Sequence, residues 1–187
     1  MPSRLPTEVR EKVELIRMVV LDVDGVLTDG TLIYSAGGED RKRFSVRDGL
    51  AIRLLLRAGI QVAVISGRPS EAVVERCSEL GVRSELIVVG SQDKSADLDR
   101  MEGVLQLADA EVAVMGDDLP DLPLLARAGF AACPADAAPE VIAACDLVCG
   151  AEGGRGAVRE LAEFILKGQE RWFDLVSAWV TPGMQRQ

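Results

Sequence analysis

Four short runs of valine, isoleucine and leucine, each closing on an acid, a serine–glycine pair or a glycine, constrain this chain more than any other feature. They lie at residues 17–22, ending on Asp22; at 60–65, followed by Ser66-Gly67; at 85–89, followed by Gly90; and at 111–115, followed by Gly116-Asp117. Runs this short and apolar, bounded by turn residues, read as strands buried on both faces. Weaker strands are expected at 130–133 and 146–149. Between the runs the periodicity is helical. Residues 7–16 are charged and helix-compatible, and Leu50, Leu54 and Leu55 share one face of a helix at about 48–58. Residues 70–80 and 93–108 read the same way, Leu122, Leu124 and Leu125 fit a short helix after Pro120, and Leu161, Phe164, Ile165 and Leu166 mark a long helix over about 155–179. Strand alternating with helix predicts an α/β fold: a doubly wound, Rossmann-like, mostly parallel sheet with helices on both faces. Residues 30–46 break the pattern. Thr31, Ile33 and Tyr34, then Gly37-Gly38, then Arg43 and Phe44 read as an inserted β-hairpin. With no linker, repeat or low-complexity tract, one domain over 1–187 is expected, carrying a C-terminal helical tail at about 160–187.

Composition removes several kinds of chemistry. The chain has no histidine, which excludes Ser-His-Asp and Cys-His catalysis, phosphohistidine and His-ligated zinc. Catalysis falls to carboxylates, Lys, Ser, Tyr, Cys or a hard metal held by oxygen. A net charge of −9 argues against a general nucleic-acid binder, although a local cluster of Arg and Lys still allows a small anionic substrate. Cys77, Cys133, Cys145 and Cys149 form no CxxC pair and read as buried, reduced thiols. Arg10, Glu11, Lys12 and Glu14 interrupt any signal-like apolar run, and no run is long enough to span a bilayer, so a cytoplasmic protein without membrane contact is expected. Aromatics are only 4% of the chain, so the core is expected to be Val, Leu, Ile and Ala.

In a doubly wound sheet, ligands bind at the carboxyl ends of the strands. Asp22-Val23-Asp24-Gly25, Ser66-Gly67-Arg68, Gly90 to Lys94, and Gly116-Asp117-Asp118-Leu119-Pro120-Asp121 should therefore converge. Two like charges about 4 Å apart cost about 4 kcal/mol at an effective dielectric of 20. Asp22, Asp24, Asp117 and Asp118 in one pocket thus need cations. Lys94 supplies one charge and a divalent, oxygen-seeking ion two more; Mg2+ suits, binding carboxylates while keeping sites for water and phosphate oxygens. Taken singly, each acid could be a turn or N-cap residue; all four strand ends together are not explained that way.

These four segments resemble, in order, the four motifs of the haloacid dehalogenase (HAD) superfamily: residues 22–30, Ser66-Gly67-Arg68, Lys94, and residues 116–121. The resemblance covers residues 17–160. It implies a phosphomonoesterase in which Asp22 attacks phosphorus and forms an aspartyl phosphate, and Asp24 protonates the leaving alkoxide and later deprotonates water. It places the metal on Asp22, the Asp24 carbonyl and Asp117, with Asp118 and Asp121 holding the metal's surroundings or Lys94 in place. Ser66 would bond a phosphoryl oxygen and Lys94 neutralise developing charge. An acid at position 24 favours a phosphatase over a dehalogenase, which has no leaving group to protonate.

Only the hairpin separates the first motif from the next helix, and one helix and one strand separate Ser66 from Lys94, so no cap domain fits. Within the superfamily, residues 44–49, Arg53, Ser66-Gly67-Arg68, Arg76-Cys77 and residues 153–160 resemble the capless 3-deoxy-D-manno-octulosonate 8-phosphate (KDO 8-phosphate) phosphatases. That resemblance implies a role in lipopolysaccharide synthesis and a homotetramer in which hairpins assemble and neighbouring subunits complete each site. It also implies substrate contacts at Ser45, Val46, Arg47, Asp48, Gly49, Arg53, Gly67, Arg68, Arg76 and Arg155. Guanidinium groups suit a sugar-acid phosphate, which is anionic at both ends. Each arginine alone also reads as a solvated helix charge. Residues 85–93 lack the aromatic and Gln-Gly pattern common in that branch, and the tail with Trp172, Phe173 and Trp179 is longer and more apolar than usual. Related enzymes act on nine-carbon sugar-acid 9-phosphates. Other readings are a receiver domain, disfavoured by Asp24 and by extra acids that follow Lys94 rather than precede Asp22, and a non-catalytic oligomerisation module, disfavoured by intact motifs. A dinucleotide site at 150–156 is weak, because those glycines follow the last strand.

Overall fold

The computed structural model describes residues 6–34 and 40–180. Its centre is a six-stranded parallel sheet built from β1 (Met18–Leu21), β4 (Gln61–Ser66), β5 (Ile87–Val89), β6 (Val112–Met115), β7 (Phe130–Cys133) and β8 (Leu147–Val148), in the order β5-β4-β1-β6-β7-β8. Every residue of β1, β6 and β7 is buried, as expected of strands covered on both sides. β2 (Ile33–Tyr34) and β3 (Asp40–Arg41) form a separate antiparallel ribbon in which Ile33 faces Arg41 and Tyr34 faces Asp40. The expected turn glycines Gly37-Gly38 lie outside the described residues. Among the described residues no helix is long and apolar enough to cross a membrane.

The helices are α1 (Thr7–Leu15), α2 (Val46–Arg57), α3 (Glu71–Leu80), α4 (Lys94–Leu105), α5 (Leu122–Arg127), α6 (Pro139–Ala144), α7 (Ala157–Gly168) and α8 (Trp172–Val180). Three details depart from the sequence reading. Residues 84–86 form a 3-10 turn, so β5 begins at Ile87. α6 was not anticipated; Pro139 starts it, but at six residues it is too short to show a periodic apolar face. The long helix over 155–179 is two helices. It breaks after Gly168, where Glu170 takes a positive φ of 59° and Gln169 turns its amide back onto the carbonyls of Val13 and Ile16 at 2.9 and 2.8 Å.

The strand order reverses at β1. The chain runs from β1 outward to β4 and β5, then returns to lay β6 against the opposite edge of β1. The crevice above the carboxyl ends of β1 and β6 is therefore the topological switch point where such sheets bind ligands.

Candidate active site

Asp22 is the first residue beyond β1, and its amide bonds the Met115 carbonyl at the end of β6 at 3.0 Å. The loop that follows passes close under the next acid. Gly25 sits at φ +96°, and a Cβ there would lie 2.0 Å from Asp117 Oδ2, so only glycine lets this loop carry Asp22 and Asp24 past Asp117.

Lys94 enters from the other side. Asp93 caps α4 by accepting from the Ser95 and Ala96 amides at 3.0 and 3.1 Å, which fixes Lys94 in the first helical turn. Its Nζ donates to Asp22 Oδ1 and to Asp121 Oδ1, both at 2.6 Å. Asp121 Oδ2 in turn accepts from the amides of Asp117 at 3.0 Å and Asp118 at 3.4 Å. Asp121 thus joins the loop after β6 to the ammonium that grips Asp22. Asp118 caps the 3-10 turn at Leu119–Asp121 through the Leu119 amide at 2.8 Å. Ser66 ends β4, and its Oγ accepts from the Arg68 amide at 3.2 Å.

A cavity of about 380 Å³ unites these groups. Asp22, Asp24, Ser66, Lys94, Asp117, Asp118 and Asp121 line it, together with Gly67 and Arg68 and, from the approach to the ribbon, Gly30 and Leu32. A larger hollow of about 530 Å³ lies between α2 and the end of α3, where mostly leucines surround Arg53 and Arg57. It gathers no acids and offers no comparable chemistry.

The electrostatics of the cavity ask for a cation. Carboxylate oxygens of Asp22, Asp117 and Asp121 come within 4.8 Å of one another. Burial, then the charge of Asp121, pushes Asp22 up to about 6 against the opposing pull of Lys94. Burial, then Asp22 and Asp121, pushes Asp117 up to about 7. Lys94 is raised because its two carboxylate partners outweigh burial, the largest single effect and an opposing one. One ammonium therefore leaves the cluster short of positive charge. Because both Asp121 oxygens already accept hydrogen bonds, Asp22 and Asp117 are the carboxylates placed to hold an ion. Their all-oxygen character fits Mg2+.

The remaining sequence candidates lie elsewhere in the chain. Ser45 caps α2, accepting from the Asp48 amide at 3.3 Å. Asp48, a candidate substrate contact, has a structural role in this chain. It is 1% exposed, and its two oxygens accept from the Gly156 and Arg159 amides at 3.1 and 2.9 Å, capping α7. Gly49 is buried beneath Arg76, which pairs with Glu79 at 3.2 Å. Val46, Arg47 and Arg53 are exposed outside the cavity, and Arg155 pairs with Glu152 at 3.2 Å. In residues 150–156 the amides that would cradle a phosphate are occupied. Glu160 takes those of Gly150 and Ala151, Asp136 that of Gly153, and the Val26 carbonyl that of Gly154. A Cβ on Gly153 would lie 1.7 Å from the Gly25 carbonyl oxygen, so this loop is a seat for the first-motif loop.

Lys42 escaped the sequence reading. It donates to Asp24 Oδ1 at 2.5 Å from just beyond β3. A lysine in a charged hairpin carries no signal that separates it from a solvated one.

Comparison with known proteins follows the same lines. A family model described as haloacid dehalogenase-like hydrolase matches residues 87–161. The 3-deoxy-D-manno-octulosonate 8-phosphate phosphatase KdsC of Salmonella typhi is 41% identical over 163 residues, covering 87% of this chain and 86% of that protein. The KdsC of Haemophilus influenzae is 44% identical over 163 residues, covering 86% and 88%. The crystal structure of the Moraxella catarrhalis 3-deoxy-D-manno-octulosonate 8-phosphate phosphatase, in complex with magnesium, phosphate and KDO, superposes with a TM-score of 0.89 at 36% identity, covering 94% of this chain and 99% of that one.

Proposed function

Because the chain belongs to the haloacid dehalogenase-like hydrolases, in the group that includes the 3-deoxy-D-manno-octulosonate 8-phosphate phosphatases, we propose that it is a Mg2+-dependent phosphomonoesterase that hydrolyses KDO 8-phosphate through an aspartyl phosphate on Asp22. One observation carries the reading. Lys94 bridges Asp22 and Asp121 at 2.6 Å each, inside a cavity that also holds Asp24, Ser66 and Asp117.

The geometry divides the labour. Lys94 on Oδ1 orients the Asp22 carboxylate, leaving Oδ2 as the attacking atom. The Asp22–phosphorus bond forms as the phosphorus–sugar oxygen bond breaks, and Asp24 gives its proton to the departing alkoxide. Water then attacks phosphorus, its proton passes to Asp24, and the Asp22–phosphorus bond breaks to release inorganic phosphate. The Ser66 hydroxyl accepts the Arg68 amide on its oxygen and so turns its own proton toward a phosphoryl oxygen. Asp22 and Asp117 would hold Mg2+, with the Asp24 carbonyl. Mg2+ supplies neutralisation of phosphoryl oxygen charge when bound.

Two further features belong to this reading. A homotetramer in which adjacent chains complete each site gives the exposed Val46 and Arg47 a partner, and light scattering on the purified chain tests it. Four free cysteines fit a reducing compartment such as the cytoplasm.

The test is turnover of KDO 8-phosphate against a panel of sugar-acid phosphates, with and without Mg2+, for the wild type and D22N. Many cycles per chain, preference for KDO 8-phosphate, and loss of turnover both on chelation and in D22N are expected. Undiminished turnover by D22N would remove the covalent mechanism, and preference for another ester would remove the substrate.

A further inference from the structure

We propose that Lys42 is the positioning residue for Asp24, fixing which carboxyl oxygen carries the proton to the leaving group. The inference rests on the phosphatase reading above and goes beyond the motif residues.

The cavity has two acids with catalytic roles, the nucleophile Asp22 and the proton carrier Asp24, and the structure gives them separate cations. Lys94 serves Asp22 and Asp121. Asp24 instead meets Lys42, whose Nζ lies 2.5 Å from Oδ1, and Arg68, whose Nε lies 3.8 Å from Oδ2. The two cations differ in setting. The Lys42 side chain is 1% exposed, whereas that of Arg68 is 54% exposed. The lysine is therefore enclosed by the protein and does not line the cavity, whereas the arginine does. A buried ammonium costs several kcal/mol to desolvate unless it is well paired, so the short Lys42–Asp24 contact is one the fold holds firmly. The neighbouring Arg43 pairs with Asp29, so the chain leaving the ribbon is pinned to the first-motif loop at two successive residues.

The chemical consequence follows from hydrogen-bond inventory. An ammonium only donates, and a protonated carboxyl has a single O–H. With Lys42 donating to Oδ1, the carbonyl form of that oxygen is the better acceptor, which favours the proton on Oδ2, the oxygen nearer the cavity-lining Arg68. Lys42 thereby keeps Asp24 from turning its proton inward, away from the leaving oxygen. The ribbon, remote from Asp24 by 18 residues in sequence, thus has a part in the chemistry.

Leaving-group dependence is the test. An alkoxide needs a proton as it departs and p-nitrophenolate does not, while kcat/KM reports only steps up to phosphorylation of Asp22. In the full-length chain with saturating Mg2+, K42M should lower kcat/KM for a sugar-acid phosphate about 10- to 100-fold, below the ~10²–10⁴ that general acid catalysis contributes, and that for p-nitrophenyl phosphate by several-fold less. K42R should recover part of the loss. The ratio of the two constants does not depend on how much of the variant is folded, so a destabilised variant still answers. In a D24N background K42M should leave the ratio where D24N alone puts it. An equal fall on both esters, or a further shift of the ratio in the D24N background, would overturn the role of Lys42. A wild-type chain inert toward both esters would instead overturn the phosphatase reading, and this inference with it.

Discussion

Asp48→Ala separates two roles that look identical in sequence. If Asp48 touches substrate, its loss raises KM and spares the fold. The structure instead has it accepting the Gly156 and Arg159 amides at 3.1 and 2.9 Å while 1% exposed. Alanine would leave two part-buried amides at the start of α7 without these acceptors. Each lost partner costs about 1–3 kcal/mol, so roughly 2–6 kcal/mol goes together with the favourable charge at the helix N-terminus. For a chain of this size each kcal/mol moves Tm by roughly 2–4 °C, placing the fall between about 4 and 24 °C. The damage should also reach the chemistry, because the loop ahead of α7 seats the first-motif loop: Gly154 bonds the Val26 carbonyl at 2.9 Å, and Gly153 lies against Gly25. The assay is differential scanning fluorimetry with steady-state kinetics on the same preparations. A lower Tm with a lower kcat and a KM within a few-fold of wild type is expected. An unchanged Tm with a KM raised tenfold or more would refute this reasoning.

Other perturbations probe the remaining contacts. Gly25→Ala places a Cβ 2.0 Å from Asp117 Oδ2 at φ +96°, so turnover should collapse with a smaller change in Tm; wild-type turnover would contradict the close passage of the two loops. Glu102 lies against Arg127 and Asp109, and burial, then Asp109, raises it to about 7. A raised carboxyl contributes stability that is present below its ordinary value of 4.5 and lost as pH rises through about 7, so Glu102→Gln should flatten the decline in Tm across that window. Asp22 and Asp117, raised to about 6 and about 7, act with the same sign in the metal-free protein. The Tm gained on adding Mg2+ should therefore grow as pH rises from about 5 to 8, and a pH-independent gain would speak against these two carboxylates as ligands.

The sheet and its active edge were legible because burial on both faces leaves little room for other residues. Runs such as Val19-Val20-Leu21 and Val112-Ala113-Val114 fit only buried strands, and the acids directly after them could not be core. The convergence of residues 22, 24, 66, 94 and 117 followed from topology alone. Where several outcomes share one pattern, the reading blurred. Leu161 to Leu166 and Trp172 to Leu175 continue one apolar rhythm, and only the packing of Gln169 against Val13 and Ile16 shows that the chain breaks between them. Asp48 and Lys42 were opaque for one shared reason. A charged residue's role depends on what lies opposite it, and their partners, Gly156 and Arg159 in one case and Asp24 in the other, are distant in sequence.

The covalent role of Asp22 is tested most directly by the stereochemical course at phosphorus, using a thiophosphate ester carrying two oxygen isotopes and hydrolysed in water of the third. Two successive in-line displacements, first by the carboxylate and then by water, predict retention of configuration in the product thiophosphate. Inversion would mean that water attacks the substrate itself and that Asp22 is never phosphorylated.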